Sequence, residues 1–255
     1  TTDDFESYDP ATKTYKLKEG VATTSLLGGV IGVRPGTLKL KDLNNDGVVD
    51  LDDRTVIGDT NPTCSGGFGF NASYKDFDFT ANFTYSVGND IYNANKIATT
   101  QQYRSGTYPN MLKIMAQDNS YSYLNQETGL LLTSLEELAA ANEGANAKEY
   151  WSPYSLGNAT VIPTDWALED ASYLRLQSVT LGYTLPTKLT KQVGIQRCRF
   201  YVTASNLFCI TGYSGYDPEV SSYSRNSSYS GLTPGIDYSS YPKSRAFTFG
   251  LNVTL

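Results

Sequence analysis

Apolar and polar residues alternate along much of this chain with a period of two, and that period decides what the chain can fold into. Phe68, Phe70, Ala72 and Tyr74 are interleaved with Gly67, Gly69, Asn71 and Ser73. After Lys75-Asp76 the pattern restarts, with Phe77, Phe79, Ala81, Phe83 and Tyr85 set against Asp78, Thr80, Asn82 and Thr84. Extended backbone sends successive side chains to opposite faces, so this stretch predicts a long hairpin closed by a tight turn. The chain end repeats the theme, with Phe247, Phe249, Leu251, Val253 and Leu255 against Ala246, Thr248, Gly250, Asn252 and Thr254. Segments 172–184 and 197–208 fit two further strands, the first alternating well only from Val179 through Leu181 to Tyr183. Such strands exceed the usual mode of about five or six residues.

The polar faces hold Thr, Asn, Ser and Gly with few charges, and charged residues make up only 18% of the chain, below the roughly 25% of an average soluble domain. A soluble sandwich turns its apolar faces inward and exposes charged ones. A transmembrane barrel does the reverse, with an apolar face in lipid, a polar face in a wet lumen and aromatics near the strand ends. Tyr74, Tyr85 and Tyr183 fall at such ends, where a ring can lie among headgroups with its hydroxyl wet. Both architectures remain open on these patterns alone.

Connection lengths favour the barrel. Lys75-Asp76 is a tight turn and 185–196 a modest one opened by Pro186, whereas 88–170 and 210–244 are long and rich in Tyr, Ser, Asn, Gly and Pro. Short turns at one end and long loops at the other are the outer-membrane pattern. Counting back from a periplasmic Leu255 puts both long loops outside, with the acidic segment before Cys64. Within the first long loop, Ser134-x-x-Glu137 is a capping box opening a helix, and 110–117 is a weaker helical candidate. Five strands, or six with one in the stretch from Val21 to Val33, are too few to close a barrel of about eight. The chain is therefore expected to be part of a larger assembly.

Composition removes several function classes. None of the 255 residues is histidine, which excludes Ser-His-Asp and Cys-His catalysis and every His-ligated metal. A net charge of −6 argues against nucleic acid as a partner. No run of 18 apolar residues exists, so no spanning helix is expected. Thr1-Thr2-Asp3-Asp4 has no basic region followed by an apolar core, and the expectation is a mature product or a fragment. Cys64, Cys198 and Cys209 show no metal-ligand spacing and are expected as free thiols. Glu136-Glu137, the best paired carboxylates for a hydrolase, belong on a solvated helix face, so no enzyme is expected.

One stretch has ligand spacing. From Asp42 to Asp53, oxygen donors stand at loop positions 1, 3, 5, 9 and 12 (Asp42, Asn44, Asp46, Asp50 and Asp53), with Gly47 at 6 and the Val48 carbonyl at 7. This is EF-hand spacing, and the glycine permits the sharp turn that folds both halves around one cation. The segment 36–60 carries six aspartates against three basic residues, a local repulsion that a divalent ion relieves. Ca²⁺ is expected ahead of Mg²⁺ because so many protein oxygens converge. A solvated Asp/Asn turn without an ion is the alternative. With no amphipathic helix before Asp42, the site would be a lone structural clip.

These residues resemble a known family. Lys39-Leu40-Lys41-Asp42-Leu43-Asn44-Asn45-Asp46-Gly47, Asp53-Arg54-Thr55-Val56-Ile57-Gly58 and Gly88-Asn89-Asp90-Ile91-Tyr92-Asn93 are similar to the SusC/RagA-type TonB-dependent outer-membrane transporters. So are Ser172-Tyr173-Leu174-Arg175-Leu176, the run from Val179 through Pro186, Ser205-Asn206-Leu207-Phe208 and Ser214-Gly215-Tyr216-Asp217-Pro218-Glu219. Phe247-Thr248-Phe249-Gly250-Leu251-Asn252 completes the set, in the family's order.

The resemblance is to the C-terminal portion only. It implies an all-β fold: an antiparallel transmembrane segment of about five or six strands from a 22-stranded barrel, with long extracellular loops. By this reading 1–35 is a poorly matched segment with room for one barrel strand. Residues 36–64 form an extracellular loop with the calcium motif, and 65–255 are the C-terminal barrel strands. The implied function is outer-membrane import of oligosaccharides or peptides with a SusD-like surface lipoprotein, driven by TonB through N-terminal parts and a plug that lie outside this chain. Gly250-x-x-Val253-x-Leu255 also resembles the C-terminal barrel-assembly signal, with Leu255 in place of the usual aromatic. Tyr92, Trp151, Trp166 and Tyr216 are loop aromatics able to stack on sugar rings, with belt anchoring or loop packing as the alternative. Arg175 is expected in the lumen or in a structural pair. The competing function is a secreted, calcium-stabilised carbohydrate-binding β-module.

Overall fold

The structure, a computed structural model, describes residues 1–24, 26, 33–100, 110–116, 118–153, 163–219, 235–238 and 241–255. It divides into two units, each discontinuous in sequence: Thr1–Ile57 with Asn95–Thr164, and Gly58–Ala94 with Asp165–Leu255.

In the first unit, β1 (Phe5–Asp9) and β2 (Thr14–Leu17) form an antiparallel hairpin, and β3 (Thr23–Thr24) runs parallel to β4 (Val48–Val49). The barrel strand allowed for between Val21 and Val33 falls largely outside the described residues; its described part, Thr23–Thr24, pairs with β4. The core collects Tyr121, Tyr123, Leu132 and Leu138, with Tyr15 and Ala141 packed against it. The helix Leu135–Asn142 starts where the sequence placed it, with the Ser134 side chain accepting the Glu137 N–H. Its last residue, the buried Asn142, accepts from Ser122 N at 2.7 Å and donates to Ser122 O at 2.9 Å, tying the helix to the chain that carries the tyrosines. Among the described residues of the weaker candidate at 110–117 stands a single 3-10 turn, Lys113–Met115.

The second unit is dominated by one antiparallel sheet. β5 (Cys64–Tyr74) and β6 (Phe77–Val87) are the predicted hairpin around Lys75-Asp76. β7 (Asp90–Asn93) and β8 (Leu168–Asp170) belong to a small separate sheet. β9 (Tyr173–Thr184) pairs with β6 and with β10 (Arg197–Ser205), and β11 (Cys209–Thr211) continues beside the start of β9. β12 (Ile236–Asp237) adds in parallel to β7, and β13 (Ala246–Thr254) closes the run against β10. The long strands therefore lie in the order β5-β6-β9-β10-β13, each beside its sequential neighbour. Both short connections fall at one end of this meander and both long ones at the other.

The register makes the two faces continuous. Tyr74, Phe77, Tyr183, Phe200 and Leu251 stand abreast across all five strands, followed by Ala72, Phe79, Leu181, Val202 and Phe249. Opposed residues share a face, so rings meet across strands: Phe68 stacks on Phe83 with centroids 4.9 Å apart, and Phe77 lies 4.6 Å from Tyr183. This face is not covered: Phe70 is 57% exposed, Phe247 62% and Phe249 80%. An uncovered apolar sheet face of this extent is a surface for lipid or a partner, and a sandwich would have buried it.

Strand β9 also shows why its pattern is clean only from Val179. The pairing of β6 with β9 slips between Asn82 and Phe83, which oppose Ser178 and Leu176, and Gln177 is the extra residue of a bulge. The bulge reverses parity. Leu174 and Leu176 before it, and Val179, Leu181 and Tyr183 after it, all reach the apolar face.

Candidate functional site

The opposite face of the sheet is polar and ordered. Asn71, Thr80, Thr180, Thr203 and Thr248 stand abreast across the five strands. Thr80 donates to Asn71 Oδ1 at 2.8 Å, and the Thr180 and Thr203 hydroxyls lie 2.8 Å apart. Toward the short turns, Arg199 grips Asp78 with both Nε and Nη2, the former at 2.8 Å. The pair reaches across Gly182, where a Cβ would collide with Arg199 Nη2 and the Asp78 carboxylate. The Tyr201 ring lies over Gly250 in the same way, and the Arg199 guanidinium stands 5.1 Å from that ring's centroid. The two glycines thus make room for a cation bracketed by a carboxylate and an aromatic face. This pair was not anticipated; its signal was one carboxylate, Asp78, on the polar face of β6 and two arginines, Arg197 and Arg199, on that of β10.

Toward the long connections lies a second, more buried charge set. Arg175 Nη2 contacts Asp217 Oδ1 at 2.6 Å, and its Nε stands 2.7 Å from Glu219 Oε2. Glu219 also takes the ammonium of Lys243, whose backbone N–H reaches Asp217 Oδ2 at 3.4 Å. Burial pushes the Glu219 carboxyl up, but Lys243, the Tyr173 hydroxyl and Arg175 outweigh it and hold it below the ordinary glutamate value. Arg175 is thus in a structural network, the second of its two expected roles. The partners lay unrecognised within the Ser214-…-Glu219 motif. Nearby, Ser214 N and Oγ donate to Glu169 at 2.8 and 2.9 Å, and the buried Tyr213 hydroxyl donates to Asp237 Oδ2 at 2.7 Å. Together these bonds moor the start of the 210–244 connection to β8, β9 and β12.

The Asp42–Asp53 loop belongs to the first unit. Asp42 accepts from Asn45 N at 2.6 Å and Gly47 N at 2.9 Å, Asn44 from Asp46 N at 2.9 Å, and Asp46 from Val48 N at 2.8 Å. Gly47 takes φ 86, the left-handed turn anticipated at loop position 6. Asp53 closes the loop, accepting from Leu43 N at 2.7 Å and Asp50 N at 2.8 Å, bonds that lower its pKa. The side chains at positions 1, 3, 5 and 12 thus turn into one loop, while the Asp50 side chain caps the 3-10 turn Leu51–Asp53. Among the described residues, no three acidic, Cys or His side chains stand close enough to hold an ion by themselves. A ligand set here would have to include Asn44 and the Val48 carbonyl.

The four candidate sugar-stacking aromatics fall in both units. Trp151 belongs to the first unit and lies edge-on to Tyr150, with centroids 6.3 Å apart. Tyr92, in β7, and Trp166, in the short 3-10 turn Asp165–Ala167, are half-buried in the second unit. Tyr216 is 79% exposed beside the Arg175 network. Cys64, Cys198 and Cys209 are free thiols, and Glu136 and Glu137 lie on the exposed side of the helix Leu135–Asn142.

No family model matches the chain. Curated relatives do. TonB-dependent receptor P3 of Formosa agariphila is 31% identical over 226 residues, covering 86% of this chain and 19% of that protein. TonB-dependent receptor P26 of the same organism is 27% identical over 86% of this chain and 20% of the relative. TonB-dependent receptor SusC of Bacteroides thetaiotaomicron is 29% identical over 83% of this chain and 17% of the relative. The chain thus spans about a fifth of the length of the relatives it matches. Among solved structures, the RagAB peptide transporter aligns with TM-score 0.53 and 26% identity, over 76% of this chain and 17% of that one. The RagAB peptide importer in its closed-closed state aligns with the same TM-score at 24% identity, over 98% of this chain and 22% of that one.

Proposed function

Because the chain is homologous to one section of the SusC/RagA-type TonB-dependent receptors, we propose that it supplies five adjacent wall strands, and the loops they carry, to an outer-membrane nutrient importer. The observation carrying this reading is the five-stranded meander with an uncovered apolar face on one side and a row of hydroxyls and amides on the other. A wall between lipid and a wet lumen requires that division; a secreted binding module would need the apolar face buried. The work is conformational, and none of the residues described here is assigned bond-breaking chemistry.

On this reading the short turns lie in the periplasm and the long connections outside. A SusD-like lipoprotein caps the extracellular mouth, and TonB acts through parts of the protein beyond this chain. The cargo is an oligosaccharide or a peptide. We propose further that the Asp42–Asp53 loop takes one Ca²⁺ through Asp42, Asn44, Asp46, Asp50, Asp53 and the Val48 carbonyl, as an external structural clip. The test of import is uptake by cells carrying the whole receptor against cells deleted for it, with labelled peptides and oligosaccharides offered in turn. Receptor- and TonB-dependent uptake of either class is the expected result. Unchanged uptake of both on deletion would overturn the reading.

A further inference from the structure

Two cavities in the first unit share one wall, and their linings differ sharply. One, of about 450 Å³, is lined by Met111, Met115, Tyr121, Tyr123, Leu131 and Pro153 among others. The other, of about 500 Å³, presents Asp118, Asn125, Glu127, Glu137 and Lys148. Ser122, Leu124 and Gln126 line both. Each volume is in the range of about 300–1,000 Å³ typical of small-ligand sites.

The apolar cavity is built on a fixed frame. Tyr123 donates to Pro35 O at 2.6 Å, Leu132 N to Tyr123 O at 2.7 Å, and Asn142 holds Ser122 from both sides. Leu124 and Leu131, 47% and 59% exposed, give it an apolar rim. Tyr121 is 6% exposed, and its hydroxyl makes no hydrogen bond among the described residues. That hydroxyl is sealed from solvent, so the cavity offers a ligand the Tyr121 ring and not its oxygen.

The chemistry selects against a sugar here. Stacking needs an open ring face, but the Tyr121 ring packs on Gly36 and the Arg34 guanidinium stands 5.7 Å over the Tyr123 ring. The carboxylates that would bind sugar hydroxyls lie in the other cavity, away from the rings. That second cavity has three carboxylates, Asp118, Glu127 and Glu137, against Lys148, whose ammonium already donates to Asp118 O at 3.1 Å. Its field attracts cations.

We propose that these paired cavities bind a peptide, one apolar side chain entering the Met/Tyr cavity and a neighbouring cationic group lying in the acidic one. The proposal rests on the import reading and names the substrate class for it.

The test is calorimetric titration of the intact detergent-purified receptor complex with three probes: N-acetyl-leucyl-lysine amide, N-acetyl-leucyl-glutamine amide and maltoheptaose. The lysine peptide should bind at least fivefold tighter than the glutamine peptide at low salt, with the preference shrinking as salt rises. Leu131→Glu, at an exposed rim position that folding tolerates, should weaken both peptides at least tenfold. Glu127→Lys should remove the lysine preference and leave the glutamine peptide unaffected. Binding of maltoheptaose with neither peptide overturns the proposal while import stands, as does peptide binding insensitive to both substitutions. Failure of the deletion test above removes import itself.

Discussion

Arg175 and Asp217 are 42 residues apart in sequence and 2.6 Å apart at their charged atoms, with side chains 5% and 4% exposed. A buried ion pair contributes little net stability against an apolar replacement, but removing one partner strands the other charge, at about 3–5 kcal/mol. Arg175→Ala should therefore release the 213–219 segment from the sheet. Hydrogen exchange of that segment in the whole receptor should accelerate at least tenfold, and much less in the double variant Arg175→Met with Asp217→Asn. Unchanged protection in Arg175→Ala would refute the mooring role.

The same network sets an acid limit. Glu219 titrates below its ordinary value of 4.5, so the folded state holds its proton more weakly than the unfolded chain does. Its contribution to stability is complete above that ordinary value and is lost as pH falls through the lowered one. Proteolysis within 213–219 should stay slow at neutral pH and rise only below about pH 4, by the ordinary glutamate range. Glu219→Gln should flatten that rise.

Gly182 is open to a steric test. A side chain there would occupy the space across which Arg199 reaches Asp78. Gly182→Val should combine overpacking with loss of the bridge, at about 1–3 kcal/mol. The receptor's heat-induced shift on semi-native gels should move to lower temperature. An unchanged transition would mean that the pair has another route.

Labelling in intact membranes separates the faces. Thr248→Cys should react with a charged, water-soluble maleimide, and Phe249→Cys only with a lipophilic one. Equal reactivity of the two with the charged reagent would place both faces in water and contradict the barrel-wall reading.

Calcium should tighten the Asp42–Asp53 loop. Addition of Ca²⁺ to chelator-treated receptor is expected to slow hydrogen exchange across 42–53, and Asp46→Asn should raise the calcium concentration needed at least tenfold. No change in exchange at millimolar Ca²⁺ would argue for a solvated turn.

The strands were legible because a half-buried or half-solvated strand writes its period into the sequence directly. The alternation from Phe68 to Tyr74, from Phe77 to Tyr85 and from Ala246 onward lies within strands Cys64–Tyr74, Phe77–Val87 and Ala246–Thr254. Strand β9 was legible only in part, since one extra residue at Gln177 inverts the parity and looks like a lost pattern. The charge network was hidden for another reason: Arg175, Asp217 and Lys243 are distant in sequence, and no local pattern records a pairing across a long connection. The first unit was least legible. Its core residues, Tyr121, Tyr123, Leu132 and Leu138, are few and irregularly spaced, so neither helical nor strand periodicity announces them.

The unequal connections have an evolutionary consequence. One residue inserted within β6 would exchange the lipid and lumen faces of the rest of that strand, so the wall and the tight turn that sets its register have little room for change in length. At the other end, each doubling of a flexible connection costs only about 0.6 kcal/mol of closure entropy. New binding surface can therefore accumulate at that end by insertion while the wall beneath keeps its register. The Arg175 network limits this freedom, because a loop transplanted between relatives must bring its own partners for that arginine.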